Sequence, residues 1–377
     1  MSGTRGNREE VVTTCSVGNA QEIIRHHLDS ISKDPGCSKE LPPIMLWGPP
    51  GIGKSTIIRE MTEEMEIGFI DVRLAQREPV DIRGLPVPRE DKSGVDWMVS
   101  SEWPRAGQEG VPESGVILFD ELTAADASLQ VAAYEFILDR RLGNLYEVPE
   151  GWYIVAAGNR TKDSAVARTM SSALANRFCH LELEANEKAW VSWAISKEIE
   201  PSVIAFIRYR PELLLNMAGN RERGWPSPRS WERVSAEIRL ARGSGLSPRS
   251  LDLVIEGLVG AGAAMEFNAF RNWTGSMPDV EKMLSGEIKP EFPKRSDLQY
   301  AMVSAIAHYF STAEDREPLM NGLFEILMSM PVEWAQMAWT DIELFLNNRF
   351  APSTLPVEEL HLHLHYQKFA DKLLGSN

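Results

Sequence analysis

Apolar positions in the first 185 residues fall into short runs that alternate with helical stripes. PIMLW (43–47), IGFIDVRL (67–74), GVILFDEL (115–122), GWYIVAAGN (151–159) and FCHLELE (178–184) read as strands, because apolar runs of this length bounded by turn-forming residues suit a buried sheet. Between them, Gly18 to Ile31 puts Ile23, Ile24, His27, Leu28 and Ile31 on one stripe. Ser55 to Met65, Ala125 to Arg141 and a segment ending at Asn176 read as further helices. Such alternation predicts an α/β fold, a parallel sheet sandwiched by helices. Lys33 to Pro43 reads as a linker, Glu78 to Gly115 shows little regular period, and Gly143 to Gly151 reads as an inserted hairpin. From Asn186 helical patterns dominate, broken by loops at 219–230, 242–250 and 273–297. The pattern therefore predicts an α/β domain over 1–185, with inserts near 78–113 and 143–151. A helical lid and C-terminal helical region follow over 186–377.

Composition narrows the class without naming a chemistry. With 43% hydrophobic and 25% charged residues the chain is an ordinary globular sequence. No apolar run is long enough to span a bilayer, and the polar start MSGTRGNREE shows no secretory signal, so a cytoplasmic protein is expected. Cys15, Cys37 and Cys179 lack metal-ligand spacing and are expected as reduced thiols. The net charge of −15 opposes non-specific nucleic-acid binding. Arg221, Arg223, Arg229, Arg233, Arg239 and Arg242 form a basic cluster, but Glu222, Glu232 and Glu237 interleave with them. His361, His363 and His365 invite a metal reading that no nearby carboxylate or cysteine supports.

The chemistry starts at LWGPPGIGKSTIIRE (46–60). Gly48, Gly53, Lys54 and Ser55 fit G-x-x-x-x-G-K-[ST] between a strand and a helix. Glycines let successive backbone N–H groups curl around a phosphate, and the helix N-terminus adds its unpaired donors. The cradle comprises Gly48, Pro49, Pro50, Gly51, Ile52, Gly53, Lys54, Ser55 and Thr56. Lys54 would face the β- and γ-phosphates of ATP, and Ser55 would offer a hydroxyl to Mg²⁺. The plain alternative is a turn without a ligand.

A second signal closes the strand 115–122. Successive side chains alternate across a strand, so Asp120 and Glu121 take different tasks: Asp120 toward Mg²⁺, Glu121 toward an attacking water. A helix N-cap is the alternative for this pair. Asn159 ends the strand 151–159, whose tip right-handed crossovers would set beside those of 44–48 and 116–119, so it is the candidate γ-phosphate sensor.

The order of glycine loop, DE-tipped strand, Asn-tipped strand and Leu174-Ala175-Asn176-Arg177-Phe178 resembles an AAA+ ATPase, more narrowly the MoxR branch. Asp81-Ile82-Arg83-Gly84, the Ser128-Leu129-Gln130 to Leu138 helix and the Ala173 to Phe178 element carry that narrower resemblance, over roughly residues 15–240. It implies a homo-oligomeric ring, hexameric by family habit, that remodels a client or adaptor protein, in this branch often one with a von Willebrand factor A domain. It also implies that Arg177 reaches the adjacent subunit's nucleotide, with Arg168 as competitor, and that Arg229 of Ser227-Pro228-Arg229-Ser230 faces the γ-phosphate from the lid. The second SPRS, with Arg249, competes for that last role. In this branch the 85–113 insert and the Asp-x-x-Gly loop face the ring pore, where exposed Trp97 or Ile82 would grip a client. The related nucleic-acid-linked motors are the alternative class. Two departures stand out: Thr123-Ala124-Ala125 replaces an Asn-Arg-Ala run after the acids, and Ala157-Gly158-Asn159-Arg160 replaces a Thr-Gln-Asn-Pro sensor.

Overall fold

A computed structural model describes residues 14–163, 170, 175–217, 223–274, 277–349 and 356–375. Leu174, Ala173, Arg168, Arg221 and Glu222 lie outside these residues, as does most of the helix expected before Asn176. Two compact units divide between Ala185 and Asn186.

The first unit carries strands β1 (Thr14–Ser16), β2 (Ile44–Trp47), β3 (Gly68–Arg73), β4 (Leu85–Pro88), β5 (Val95–Met98), β6 (Gly115–Asp120), β7 (Arg141–Leu142), β8 (Tyr146–Glu147), β9 (Trp152–Gly158) and β10 (Cys179–Glu184). Its main helices are α1 (Val17–Lys33), α2 (Lys54–Glu64), α3 (Pro79–Arg83) and α4 (Ala127–Asp139). Six strands form one parallel sheet in the order β1-β10-β2-β9-β6-β3. Every residue of β9 is buried, which is why its sequence is a continuous apolar run without alternation. Ile44, Leu46, Val116, Leu118, Tyr153 and Val155 pack on one face with α1 and α2 residues such as Ile24, Leu28, Ile57 and Ile58. Met45, Ile117, Phe119, Ile154 and Ala156 pack on the other with α4 residues Leu129, Ala133, Phe136 and Ile137.

Several local features depart from the sequence pattern. The three-residue β1 carries no periodic signal of its own; it pairs with β10 and hands the chain to α1 through a capping box, with Asn19 N donating to Ser16 Oγ at 3.1 Å. Residues 35–39, expected as linker, form a 3₁₀ turn begun by Pro35. The stretch from Glu78 folds into α3 and an antiparallel hairpin of β4 and β5. Ile82 is 1% exposed, so it cannot be the exposed grip expected of it, whereas Trp97 is 46% exposed. Trp103 is likewise buried, 4.6 Å from the Phe136 ring. The hairpin expected in 143–151 is β7 with β8.

The regular elements of the second unit are all helices among its described residues, and a short helix, Val280–Leu284, lies inside the stretch read as loop. One core gathers Phe310, Leu323, Phe324, Trp339, Ile342 and Leu346. Phe206, Trp231, Phe267 and Phe270 form an aromatic knot. Arg208 makes a bidentate pair with Asp341, Nη1 to Oδ2 at 2.5 Å and Nη2 to Oδ1 at 2.6 Å. His361 stacks on Trp339 and lies 3.5 Å from Glu343, while His363 stacks on Phe324. Among the described residues no group of three or more His, Cys, Asp or Glu side chains could hold a metal ion, and no helix is long and apolar enough to cross a membrane. All three cysteines are free.

Candidate active site

The loop between β2 and α2 is shaped by backbone geometry before any side chain acts. Gly53 sits at φ 107°, a left-handed value that opposes any L side chain, and directly begins α2. The amides at that helix start have no partner inside the helix and form an anion site. Gly48, Pro49 and Ile52 are buried, Pro50, Gly51, Gly53 and Ser55 half-buried, and Thr56 exposed on the first turn of α2.

Lys54, 8% exposed, donates from Nζ to Gly48 O at 2.7 Å, Pro49 O at 3.0 Å and Asn159 Oδ1 at 2.9 Å. The strand order brings this about: β9 lies between β2 and β6, so the tips of all three strands meet at one sheet edge. Ser55 Oγ donates to Asp120 Oδ2. Glu121 N donates to Asp120 Oδ1 at 2.8 Å, and Glu121 itself stands at φ 56°. A non-glycine residue there stores backbone strain, of the kind that collects at functional sites. Glu121 therefore sits in the turn beyond β6 rather than on the strand.

Sequence reasoning treated Thr123 only as a departure. In the structure it is 2% exposed and clasps Asn159: Asn159 N donates to Thr123 Oγ1 at 3.1 Å, and Thr123 Oγ1 donates to Asn159 O at 3.2 Å. Gly158 makes this approach possible, since a Cβ there would lie 2.8 Å from both Thr123 Oγ1 and Cγ2. Leu122 N donates to Ala157 O at 3.0 Å, adding a second stitch. From the other side, buried Gln130 on α4 donates to Leu122 O at 3.1 Å and Ala125 O at 3.2 Å and accepts from Tyr134 Oη at 2.9 Å. The available signal was a hydroxyl two residues past the acids together with a glycine just before the sensor.

Arg160, next to Asn159, pairs with Asp163 at 2.7 Å and Glu182 at 2.6 Å. Burial works against its charge, but the two carboxylates outweigh burial and hold the guanidinium above its ordinary range. The base of the loop has a further tie: Trp47 Nε1 donates to His180 Nδ1 at 2.8 Å, and His180 Nε2 donates to Ala175 O at 2.7 Å.

Arg177 is exposed and lies at the other edge of the sheet. It precedes β10 by two residues, and Cys179 pairs with Ile44 at the start of β2, whereas Gly48 follows the end of β2. Four residues of strand, about 13 Å at ~3.3 Å each, separate Ile44 from Gly48. Arg177 is not brought to its own chain's phosphate loop.

Both SPRS segments begin a helix with a serine cap and a proline in the first turn. Ser227 caps the helix Pro228–Ser244 and Ser247 caps Pro248–Val259, with Ser230 N donating to Ser227 Oγ at 3.2 Å and Ser250 N to Ser247 Oγ at 3.1 Å. Arg229 and Arg249 are both in a first helical turn, so that placement does not separate them; the caps differ, Ser227 at φ −156° closing a reciprocal capping box with Ser230 while Ser247 at φ −65° accepts from Ser250 N without the reciprocal bond.

Residues 43–178 match the family model of the AAA domain, dynein-related subfamily. This segment is an AAA domain. It makes the chain a nucleotide-binding ATPase. No curated protein matches the sequence. Among solved structures, NtrX from Brucella abortus in complex with ADP is similar at 16% identity and a TM-score of 0.36, over 97% of this chain and 70% of that one. A RuvB mutant of Thermotoga maritima is similar at 17% identity and a TM-score of 0.37, over 82% of this chain and 91% of that one. Likeness this loose carries no functional argument.

Proposed function

We propose that this ATPase is a ring-forming motor, of the MoxR type, that uses hydrolysis to remodel a partner protein. The backbone amides of the loop from Gly48 to Thr56 cradle the phosphates, and Lys54 exchanges its loop carbonyls for β- and γ-phosphate oxygens. Ser55 and Asp120 fit Mg²⁺: a hydroxyl and a carboxylate already in contact form a hard-oxygen donor set. When bound, that ion neutralises phosphate charge. Glu121 polarises the attacking water, and Asn159, held against Lys54, faces the γ-phosphate. The resemblance adds Arg229 of the second unit as the arginine for the γ-phosphate, with Arg249 as its competitor.

The observation that carries the ring is the place of Arg177. It is exposed and at the sheet edge away from its own loop, so its guanidinium is available to a neighbour's nucleotide. An arginine supplied in trans is worth on the order of 10³ to 10⁵ in rate. Arg177→Ala should keep ATP affinity and lose turnover by that factor, and mixing it with Lys54→Ala protomers should restore part of the activity. No recovery in the mixture would remove support for the trans role.

For the client, the β4–β5 hairpin supplies exposed Leu85, Val95, Trp97 and Met98, an apolar surface suited to gripping a protein chain. The resemblance to the MoxR branch adds a partner with a von Willebrand factor A domain.

A further inference from the structure

We propose that Thr123 is a positioning residue for hydrolysis, a clasp that makes the sensor tip and the acid-bearing turn move as one body. The proposal rests on Asn159 as sensor and adds what sets its position. Asn159 reaches Lys54 with its amide oxygen at 2.9 Å, a contact whose aim depends on the backbone behind it. That backbone is held on both sides of the residue, N–H and carbonyl, by one buried hydroxyl at 3.1 and 3.2 Å. A hydroxyl is the smallest group that accepts and donates at once, and threonine is stiff at χ1, so the clasp has one geometry.

The other end of the clasp is the turn that starts at Asp120. Leu122 is stitched to Ala157, and Gln130 holds Leu122 O and Ala125 O from α4. Ala124 N also donates to Glu121 O at 2.9 Å, tightening the turn around Glu121 at its strained φ. A displacement of Asn159 on loss of the γ-phosphate would therefore move the Glu121 turn with it. Sensing and water activation become one coupled event, without any group running directly from Asn159 to Glu121. The Asn-Arg-Ala to Thr-Ala-Ala change is in this light an alternative way of holding the sensor.

Thr123→Val keeps the shape and deletes both hydrogen bonds; Thr123→Ser keeps the hydroxyl. ATP-analogue affinity, steady-state turnover and melting temperature are measured for both, for Asn159→Ala, and for the Thr123→Val/Asn159→Ala double variant. Thr123→Val should lose turnover by about tenfold to a hundredfold, the scale expected for a small misplacement. Its affinity should stay within about twofold, the KM-against-kcat split that a purely structural lesion would not give. Thr123→Ser should recover most of the turnover, and the double variant should be no slower than Asn159→Ala alone. Wild-type turnover in Thr123→Val beside an inactive Asn159→Ala overturns the clasp alone. Multiplied losses in the double variant also overturn it. Wild-type turnover in Asn159→Ala instead removes the sensor reading on which the clasp rests. If Thr123→Val fails to fold, the serine variant decides: a hundredfold loss with the hydroxyl present overturns the proposal.

Discussion

Each unit buries a cation, and the two are held in opposite ways. Lys54 sits at a loop, its ammonium on a flexible stem, donating to two main-chain carbonyls and an amide oxygen. Arg208 presents a planar fork to both oxygens of Asp341, with side chains 9% and 5% exposed. A carbonyl is a neutral acceptor that phosphate oxygens can displace, whereas a bidentate carboxylate is matched to guanidinium in shape and charge. One buried charge is kept exchangeable and the other is committed. A binding site and a structural tie thus differ in the partners of the charge more than in its burial.

Three substitutions can break or sharpen that contrast. Lys54→Ala has the largest expected effect: nucleotide binding should vanish in an ATP-analogue titration while the melting temperature barely moves. A fall in melting temperature like that of an Arg208 variant would mean that Lys54 is structural too. Arg208→Ala should do the reverse, destabilising the second unit by about 3 to 5 kcal/mol because Asp341 is left buried and uncompensated, with nucleotide affinity unchanged. Chemical denaturation followed by helical circular dichroism reads this, and a loss under about 1 kcal/mol, the scale of an exposed pair, would show the tie to be replaceable by water.

The smallest effect concerns His308. Burial lowers its pKa, with Arg242 and Arg349 adding to burial and Glu198 opposing. The unfolded chain then binds a proton that the folded chain refuses. Stability should fall as pH drops below the ordinary histidine value of about 6.5, with a slope of at most ~1.4 kcal/mol per pH unit. His308→Gln should flatten that slope below about pH 6.5; an unchanged slope would place the acid sensitivity elsewhere.

How much of this was legible in the chain varied with the size of the signal. That Lys54, Ser55, Asp120 and Asn159 would come together could be read because each was placed at a strand tip or loop of one parallel sheet, and the long apolar strands announced themselves by composition. β1 went unread because Thr14 to Ser16 is too short to show a period, and β4 because Pro86 and Pro88 argue against a strand that tolerates them only in a two-stranded hairpin. Ile82 was placed at an exposed pore face by the resemblance, yet it and Trp103 are buried in the core cluster shared with α4. Thr123 was visible but mute: a hydroxyl has no chemistry of its own until something stands opposite it.

The sequence alone determined the phosphate loop, the acid pair and the alternation that makes a parallel sheet, since each depends on neighbours a few residues apart. Tertiary structure decided which strand tips meet, that Thr123 clasps Asn159, that Arg177 is turned away from its own loop and that Arg208 is committed to Asp341. The two hydrogen-bonded ties among them join residues separated by 36 and 133 positions along the chain, and only the packing of strands and helices brings such distant groups within bonding range.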